Sequence, residues 1–439
     1  MNRFRGGIHI NNNKISARSI ISAEIPSKVI IPLHQHIGTP ARPIVKIGDE
    51  VKKGQKIGEA SGFVSANVHA SISGRVTDIG KYLYPALGRS SNAIVIESDG
   101  KDEWFEGIRP NVPELLSNEE IINIIMEAGI VGMGGAAFPT HVKLSVPENK
   151  KINVIILNGA ECEPYITSDH ALMVNEPDKI IDGLEIITKV TNAKELYIGI
   201  EKNKPDAIEI FKELTNQNHR IKVVPLKVKY PQGWENMLIK AILNKEVPSS
   251  KLPMDFGILI SNVGTAHAIS NAVRLGQPLI ERIVSVSGLG IKEAKNFRAR
   301  IGTLFSDLIR QCSGYKGHVA KVIAGGPMMG SSMSDIDVPV AKGTNNILLI
   351  TDDQVNNQEP NNCIRCGRCI NVCPVGLMPR NIALLAKKNM ISAAEKYFPM
   401  DCKECGCCAY VCPAKIPLVQ YIQFAKNMII SKQRAKIGQ

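Results

Sequence analysis

The chain has 439 residues, with 53 Lys and Arg against 41 Asp and Glu and a formal net charge of +12. A hydrophobic share of 44% beside 21% charged residues is ordinary globular composition; it excludes global disorder, and the length suggests about three domains. The longest uncharged stretch, 256–273, is broken by Ser, Asn, Gly, Thr and His, so no transmembrane helix is expected.

The opening MNRFRGGIHI has no apolar core after its basic residues, so a secretory signal is not expected and the chain is expected to face the cytosol. Aromatics are only 5%, and no basic stretch is interleaved with them. Nucleic acid is therefore not an expected partner, which leaves anionic surfaces and acidic proteins.

Residues 1–108 read as β. Short β-branched runs at 27–32, 43–47 and 92–97 are punctuated by Gly and Pro. The phrases Val45-Lys-Ile-Gly-Asp-Glu-Val-Lys-Lys-Gly-Gln-Lys-Ile-Gly58 and Val68-His-Ala-Ser-Ile-Ser-Gly-Arg-Val76 place Gly and Asp where hairpins reverse. The pattern resembles the biotinyl/lipoyl-type barrel-sandwich module. A carrier of that type needs a lysine at its hairpin tip, and none occurs between Lys56 and Lys81, so a docking module is expected rather than a swinging arm.

The second segment, 117–254, alternates helix and strand. Ser117-Asn-Glu-Glu120 is a capping box ahead of Ile121, Ile122, Ile125 and Met126. A glycine-rich loop, Gly132-Met-Gly-Gly-Ala-Ala-Phe-Pro139, follows it. Strands are expected at 152–157, 195–200 and 220–228 and helices near 177–190 and 205–214, the rhythm of a layered α/β domain. The third segment, 255–345, is expected to hold strands at 256–261 and 282–286 and helices at 266–275 and 303–311. A polar linker, 351–362, then marks a domain boundary.

Nine of the 11 Cys crowd into 363–412. Cys363-x2-Cys366-x2-Cys369-x3-Cys373-Pro374 is repeated as Cys402-x2-Cys405-x2-Cys408-x3-Cys412-Pro413. Two-residue spacers wrap three thiolates around one cubane, and in two-cluster ferredoxins the fourth cysteine ligates the other cluster. Cys363, Cys366, Cys369 and Cys412 are thus expected on one 4Fe-4S cluster, and Cys373, Cys402, Cys405 and Cys408 on the other. Structural zinc uses paired CxxC knuckles, not two proline-terminated four-cysteine runs. Cys407 is off-register and is expected to be a bystander. Apolar spacing at 382–387 and 392–397 favours helices, hence a helical ferredoxin-like domain, 360–439.

The glycine loop follows a helix, whereas a dinucleotide fingerprint follows a strand, so alone it is a weak phosphate signal. Its sequence through Lys143, with Asn158-Gly-Ala-Glu-Cys-Glu-Pro164, resembles the flavin- and NADH-binding motifs of the respiratory complex I flavoprotein family. Tyr230-Pro-Gln-Gly-Trp-Glu235 and Asn262-Val-Gly-Thr265 also look like family positions. The resemblance implies non-covalent FMN and NAD(H) at Gly132, Gly134, Gly135, Lys143, Asn158, Glu161, Glu163, Gly233, Glu235, Asn262 and Thr265. Ala160 stands where that family often carries an acid. With Gly6-Gly7-Ile-His9, Pro32-Leu-His-Gln-His-Ile-Gly38 and Gly325-Gly-Pro-Met-Met-Gly330, the whole order is similar to the C-subunit family of Rnf-type ion-translocating ferredoxin:NAD oxidoreductases. That family implies a β-grasp-like domain at 255–345 and a peripheral protein on the cytoplasmic face of the cell membrane, held by integral and other subunits of the same complex.

The lone residues carry plainer readings. His34, His36 and His69 are expected in core or turn hydrogen bonds, and Cys162 and Cys312 as packing residues. The tail after Glu404 carries basic residues and no acid. Three functions remain in play: electron transfer between NAD(H) and iron–sulfur clusters through flavin, a cobalamin reductase with similar motifs, and a ferredoxin-type relay with a vestigial flavin site. The first requires no side-chain nucleophile or general base, so no catalytic residue is expected.

Overall fold

A computed structural model describes residues 4–84, 89–355 and 358–437. The N-terminal part is a barrel sandwich of two antiparallel sheets. One has the strand order Lys28–Pro32, Arg89–Ser98, Gly74–Tyr84, Glu50–Val51, and the other Arg42–Pro43, Lys56–Glu59, Val68–His69. Of the run expected at 43–47 only Pro43 falls in the strand, Arg42–Pro43; a proline has no N–H to donate and marks a strand end.

The second part is a four-stranded parallel sheet in the order Ile221–Leu226, Glu195–Glu201, Val154–Gly159, Ile258–Asn262. Strands Val154–Gly159 and Ile258–Asn262 are buried on both faces, which explains their unbroken apolar runs rather than alternation. Ser117 caps the helix Asn118–Glu127 reciprocally with Glu120. Helices Pro177–Thr191 and Val263–Leu275 cross so closely that a Cβ at Gly183 would lie 1.9 Å from the Ala266 carbonyl oxygen, so only glycine fits there.

The expected boundary at 254/255 needs correction. Strand Ile258–Asn262 pairs in register with Val154–Asn158, and the helix after it packs on Pro177–Thr191. Residues 258–275 thus complete the α/β layer. Hydrophobic runs located the strand, but which sheet it joins is a long-range pairing that local pattern does not encode.

The third part is a six-stranded mixed sheet, ordered Ile20–Ser22, Lys295–Arg300, Glu281–Ser287, Asn346–Thr351, Val319–Ala324, Ser331–Met333, with helix Phe305–Gln311 packed near it. Its first strand comes from the N-terminus and pairs in parallel with 296–298. The fourth part is helical. Helix Leu418–Ile437 lays Ile422 and Ala425 on Ile382 and Ala386 of Pro379–Lys387. One hydrophobic core runs through both the barrel sandwich and the α/β layer. No helix among the described residues is long and apolar enough to cross a membrane.

Candidate functional site

Strand Val154–Gly159 is flanked on one side by the next strand in the chain and on the other by Ile258–Asn262, which returns later. Parallel sheets open a crevice at the carboxyl ends of strands where the order reverses in this way. Asn158 and Asn262 stand at that crevice.

The glycine loop lies over it. Gly132 N–H donates to the Phe138 carbonyl at 2.8 Å, closing the loop, and Gly134, Gly135 and Ala136 are exposed. A Cβ on Gly134 would stand 3.4 Å from that of Asn262. Gly135 has φ +127° with nothing within 4 Å of where a side chain would begin, so its bare backbone faces open space.

The loop is gripped from behind. Met133 N–H donates to Thr265 Oγ1 at 2.9 Å, and Arg282 Nη2 donates to Met133 O at 3.2 Å. Thr265 is buried, so it shapes the loop and does not line the open space. From the barrel sandwich, Ile37 N–H reaches Ala137 O at 3.2 Å and Phe63 O lies 3.3 Å from His141 Nε2. The module without a carrier lysine thus docks within its own chain, against the glycine loop.

An acidic turn forms the opposite wall. Asn158 donates to Gly233 O at 2.8 Å and accepts from Ala160 N–H at 3.0 Å. Glu161 accepts from Asp169 N–H at 2.8 Å and meets Lys14 Nζ at 3.5 Å. Glu163 accepts from Met328 and Met329 N–H at 3.1 and 2.9 Å, which ties this turn to the Gly325–Gly330 motif. Burial pushes the Glu161 and Asp169 carboxyls up, and Glu163 to about 7. The same burial pushes Lys14 down, each charge of the Lys14–Glu161 pair opposing the other's shift. Asp169 also accepts from Asn262 Nδ2 at 2.7 Å. Lys143 and Glu235, paired at 2.7 Å, sit half-exposed at the rim.

Hydrogen bonds and close contacts link Gly134 to Asn262, Thr265 to the glycine loop, Asn158 to Gly233 and Lys143 to Glu235, while Thr265 and Glu161 are buried behind the open space. Sequence reasoning missed Lys14 and Arg282, which reach the cleft from distant segments, and Asp169, on the helix that follows the acidic turn. It also missed Glu201, buried at the carboxyl end of its strand and paired with Lys204 at 3.0 Å. An acid ending an apolar parallel strand was the available signal for Glu201; Lys14 carried none.

The two cysteine runs share backbone geometry. Arg365 and Glu404, Gly367 and Gly406, and Gly376 and Lys415 all have left-handed φ at matching positions, so each run coils alike around its thiols. Cys373, Cys402, Cys405 and Cys408 line a single small cavity with Pro374, Leu377 and Ile422. Cys363, Cys366 and Cys412 lie within electrostatic reach of Cys369. Leu377 N–H and Glu404 N–H point at the Cys373 and Cys402 sulfurs at 3.3 and 3.4 Å, donors of the kind that surround cluster thiolates. Among the described residues no three His, Cys, Asp or Glu side chains converge on a single ion. A cubane asks for spread donors, because each thiolate binds a different iron. The donor sets thus fit two clusters with the crossed ligation read from the spacing. Cys407 is fully buried; it borders the same cavity, bonds to the Cys405 side chain, and packs with Tyr230 and Ile8.

Comparison with known proteins covers each part. Residues 2–101 match the RnfC barrel sandwich hybrid domain, 125–271 the Nuo51 FMN-binding domain, 283–331 the SLBB domain and 355–416 the 4Fe-4S dicluster domain. The chain is 52% identical to the C subunit of the proton-translocating ferredoxin:NAD(+) oxidoreductase complex of Clostridium ljungdahlii, covering 97% of this chain and 93% of that one. It is 45% identical to the C subunit of the Na(+)-translocating ferredoxin:NAD(+) oxidoreductase complex of Acetobacterium woodii, covering 98% of each. Among solved structures, the NAD+-reducing [NiFe]-hydrogenase in the H2-reduced state overlaps 74% of this chain and 67% of that chain at TM-score 0.49 and 14% identity, too distant to carry an argument. These end-to-end matches, barrel sandwich included, favour the first of the three functions over a cobalamin reductase. The chain belongs to the RnfC family, the C subunits of ion-translocating ferredoxin:NAD oxidoreductase complexes.

Proposed function

We propose that the chain is the electron-transfer subunit that links NAD(H) to two 4Fe-4S clusters through a non-covalent FMN, within an ion-translocating ferredoxin:NAD oxidoreductase. One observation carries this reading beyond family membership: the flavin cleft and the second cysteine tetrad share a wall. Tyr230, Cys162, Met328, Cys405 and Cys407 pack in one apolar cluster, and Glu163 of the cleft bonds to Met328.

When bound, FMN exchanges a hydride with NAD(H) and exchanges electrons singly with iron–sulfur centres, the conversion that joins the two carriers. The chain's own residues supply placement. The exposed Gly134–Ala136 backbone and Lys143 fit phosphate-bearing ligands. Asn158 and Asn262 hold the strand ends in shape, and Glu161, Glu163 and Glu235 border the nucleotide side. Apolar packing around Tyr230 excludes water between the cleft and the Cys373/Cys402/Cys405/Cys408 tetrad, which makes that cluster the inner one.

The Cys363/Cys366/Cys369/Cys412 cluster is then the outer one. Cys363 and Cys366 are exposed, and Ile364 between them is 68% exposed. Arg365 and Arg380 lie within electrostatic reach of Cys363, which suits an acidic redox partner in the same complex. Since no described helix spans a bilayer, the ion path belongs to other subunits; we place this one peripherally, on the cytoplasmic face of integral partners. Iron, sulfide and flavin analysis of anaerobically purified protein tests the reading. About eight iron, eight sulfide and one FMN per chain are expected, whereas clusters without flavin would indicate a plain ferredoxin-type relay, and zinc would remove the electron path.

A further inference from the structure

Gly6-Gly7-Ile8-His9 is a motif that the cofactor sites leave unused. In the fold these residues begin a strap that crosses from the cluster domain to the flavin cleft. Gly7 N–H donates to Val372 O at 2.8 Å, immediately before the ligand Cys373. A Cβ on Gly6 would lie 2.6 Å from the Cys373 carbonyl oxygen, and one on Gly7 2.6 Å from that of Tyr230; both glycines have left-handed φ, +66° and +73°. Any other side chain would push the strap off both domains.

Further along, Ile8 exchanges two backbone hydrogen bonds with Tyr230, both 2.9 Å. Phe4 lies under the Lys229 ammonium at 4.2 Å, and its carbonyl accepts from the same group at 3.1 Å. Asn12 O accepts from Tyr165 N–H at 2.9 Å. Lys14 Nζ then enters the acidic turn, donating to the carbonyls of Glu161 at 2.9 Å and Glu163 at 3.2 Å, and also to that of Ile166. Ile8 and Ile10 complete the apolar cluster that holds Tyr230, Cys405 and Cys407 together.

We propose that residues 4–14 are positioning residues for electron transfer: the strap clamps the inner cluster domain to the flavin cleft and sets the gap between them. The idea rests on the flavin and cluster reading above. It explains why two successive glycines sit where the strap passes between Cys373 and Tyr230. It also explains why a lysine is buried among carbonyls rather than left at the surface. Besides the apolar cluster, polar contacts at the edge of the same junction include Ser249 to Asp401 at 2.5 Å and Lys403 over Trp234 at 5.6 Å.

The test uses Gly7→Val and a chain lacking residues 4–16, each loaded with cofactors and compared with the parent. Chemically reduced protein is mixed with NAD+, and NADH formation and cluster absorbance are followed separately. The flavin delivers its hydride first. Each cluster then returns one electron to the oxidised flavin, and with one proton from solvent those two electrons make the second NADH. The strap predicts an unchanged first phase and a second phase slowed roughly tenfold or more, since ångström displacements of reacting groups have effects of that order. Hydrogen exchange, which needs no turnover, should rise at 228–234 and 370–374 in both variants. Adding the 4–16 peptide to the shortened chain should lower that exchange and restore the second phase. Exchange and kinetics like those of the parent in both variants would overturn the strap while leaving the cofactor reading intact. A parent chain without a second phase would overturn the cofactor reading, and exchange alone would then decide whether the strap clamps the domains.

Discussion

Lys342 gives the sharpest energetic consequence of this architecture. Its side chain is fully enclosed at the junction of three parts: Nζ donates to Asn67 O of the barrel sandwich at 2.6 Å and to Gly129 O of the α/β domain at 2.7 Å. The next residue, Gly343, backs the glycine loop, a Cβ there standing 3.8 Å from that of Ala137. Burial lowers the lysine from 10.5 to about 7. Below pH 7 both folded and unfolded chains carry the proton, and the folded chain bears the full cost of enclosing the charge. Between 7 and 10.5 the unfolded chain binds more protons, so stability rises with pH. From pH 7 to 9 this single group contributes a gain of about 2 kcal/mol. The neighbouring His36 and His69 are held neutral by burial and by this charge, so they do not titrate in that window. Lys342→Met removes the titration but strands two carbonyls at about 1–3 kcal/mol each, so the two proteins should differ little at pH 7. Urea unfolding of both at pH 7 and 9 should show the parent gaining about 2 kcal/mol on the variant at the higher pH. A difference independent of pH would refute the claim that burial lowers this lysine into the neutral range.

Other consequences are simpler to read. Gly135→Val should keep the fold by circular dichroism yet lower FMN content, because φ +127° and the open cleft make the new side chain a strained occupant of ligand space; full flavin content would put the phosphate end elsewhere. Cys369→Ser should cut iron from about eight to about four per chain, while Cys407→Ser should leave both clusters, as judged by iron analysis and electron spin resonance. Charge reversal of Arg365 with Arg380 should slow electron delivery to ferricyanide and speed it to a cationic acceptor. Both effects should fade as salt shortens the screening length below ~8 Å, and equal rates to both acceptors would remove the basic exit face.

What could be read from the residues was local. The capping box at Ser117, the helices at 177–191 and 205–214, and the strand runs follow from period and end signals within one segment. The cysteine tetrads were legible because cubane ligation imposes spacing on the chain itself. What escaped was long-range: strand 258–262 returning to the sheet of 154–159, and Ile20–Ser22 adding to the third sheet across more than half the chain. Lys14, Asp169 and Arg282 escaped for the same reason, since a buried charge is recognisable only by the partner that folding brings to it. The hairpin without a carrier lysine was legible as a docking module; its backbone contacts with the glycine loop of the same chain, at Ile37 and near Phe63, were not.

The most direct test of the account is a count of electrons. The holo-chain, fully reduced with titanium(III) and freed of reductant, is mixed with excess NAD+ under anaerobic conditions. If flavin and both clusters form one connected path, the four stored electrons should appear as close to two NADH per chain, with the reduced-cluster resonance lost in step. One NADH per chain with the clusters still reduced would mean that the cleft and the tetrads are not electronically joined, and would contradict the account at its centre.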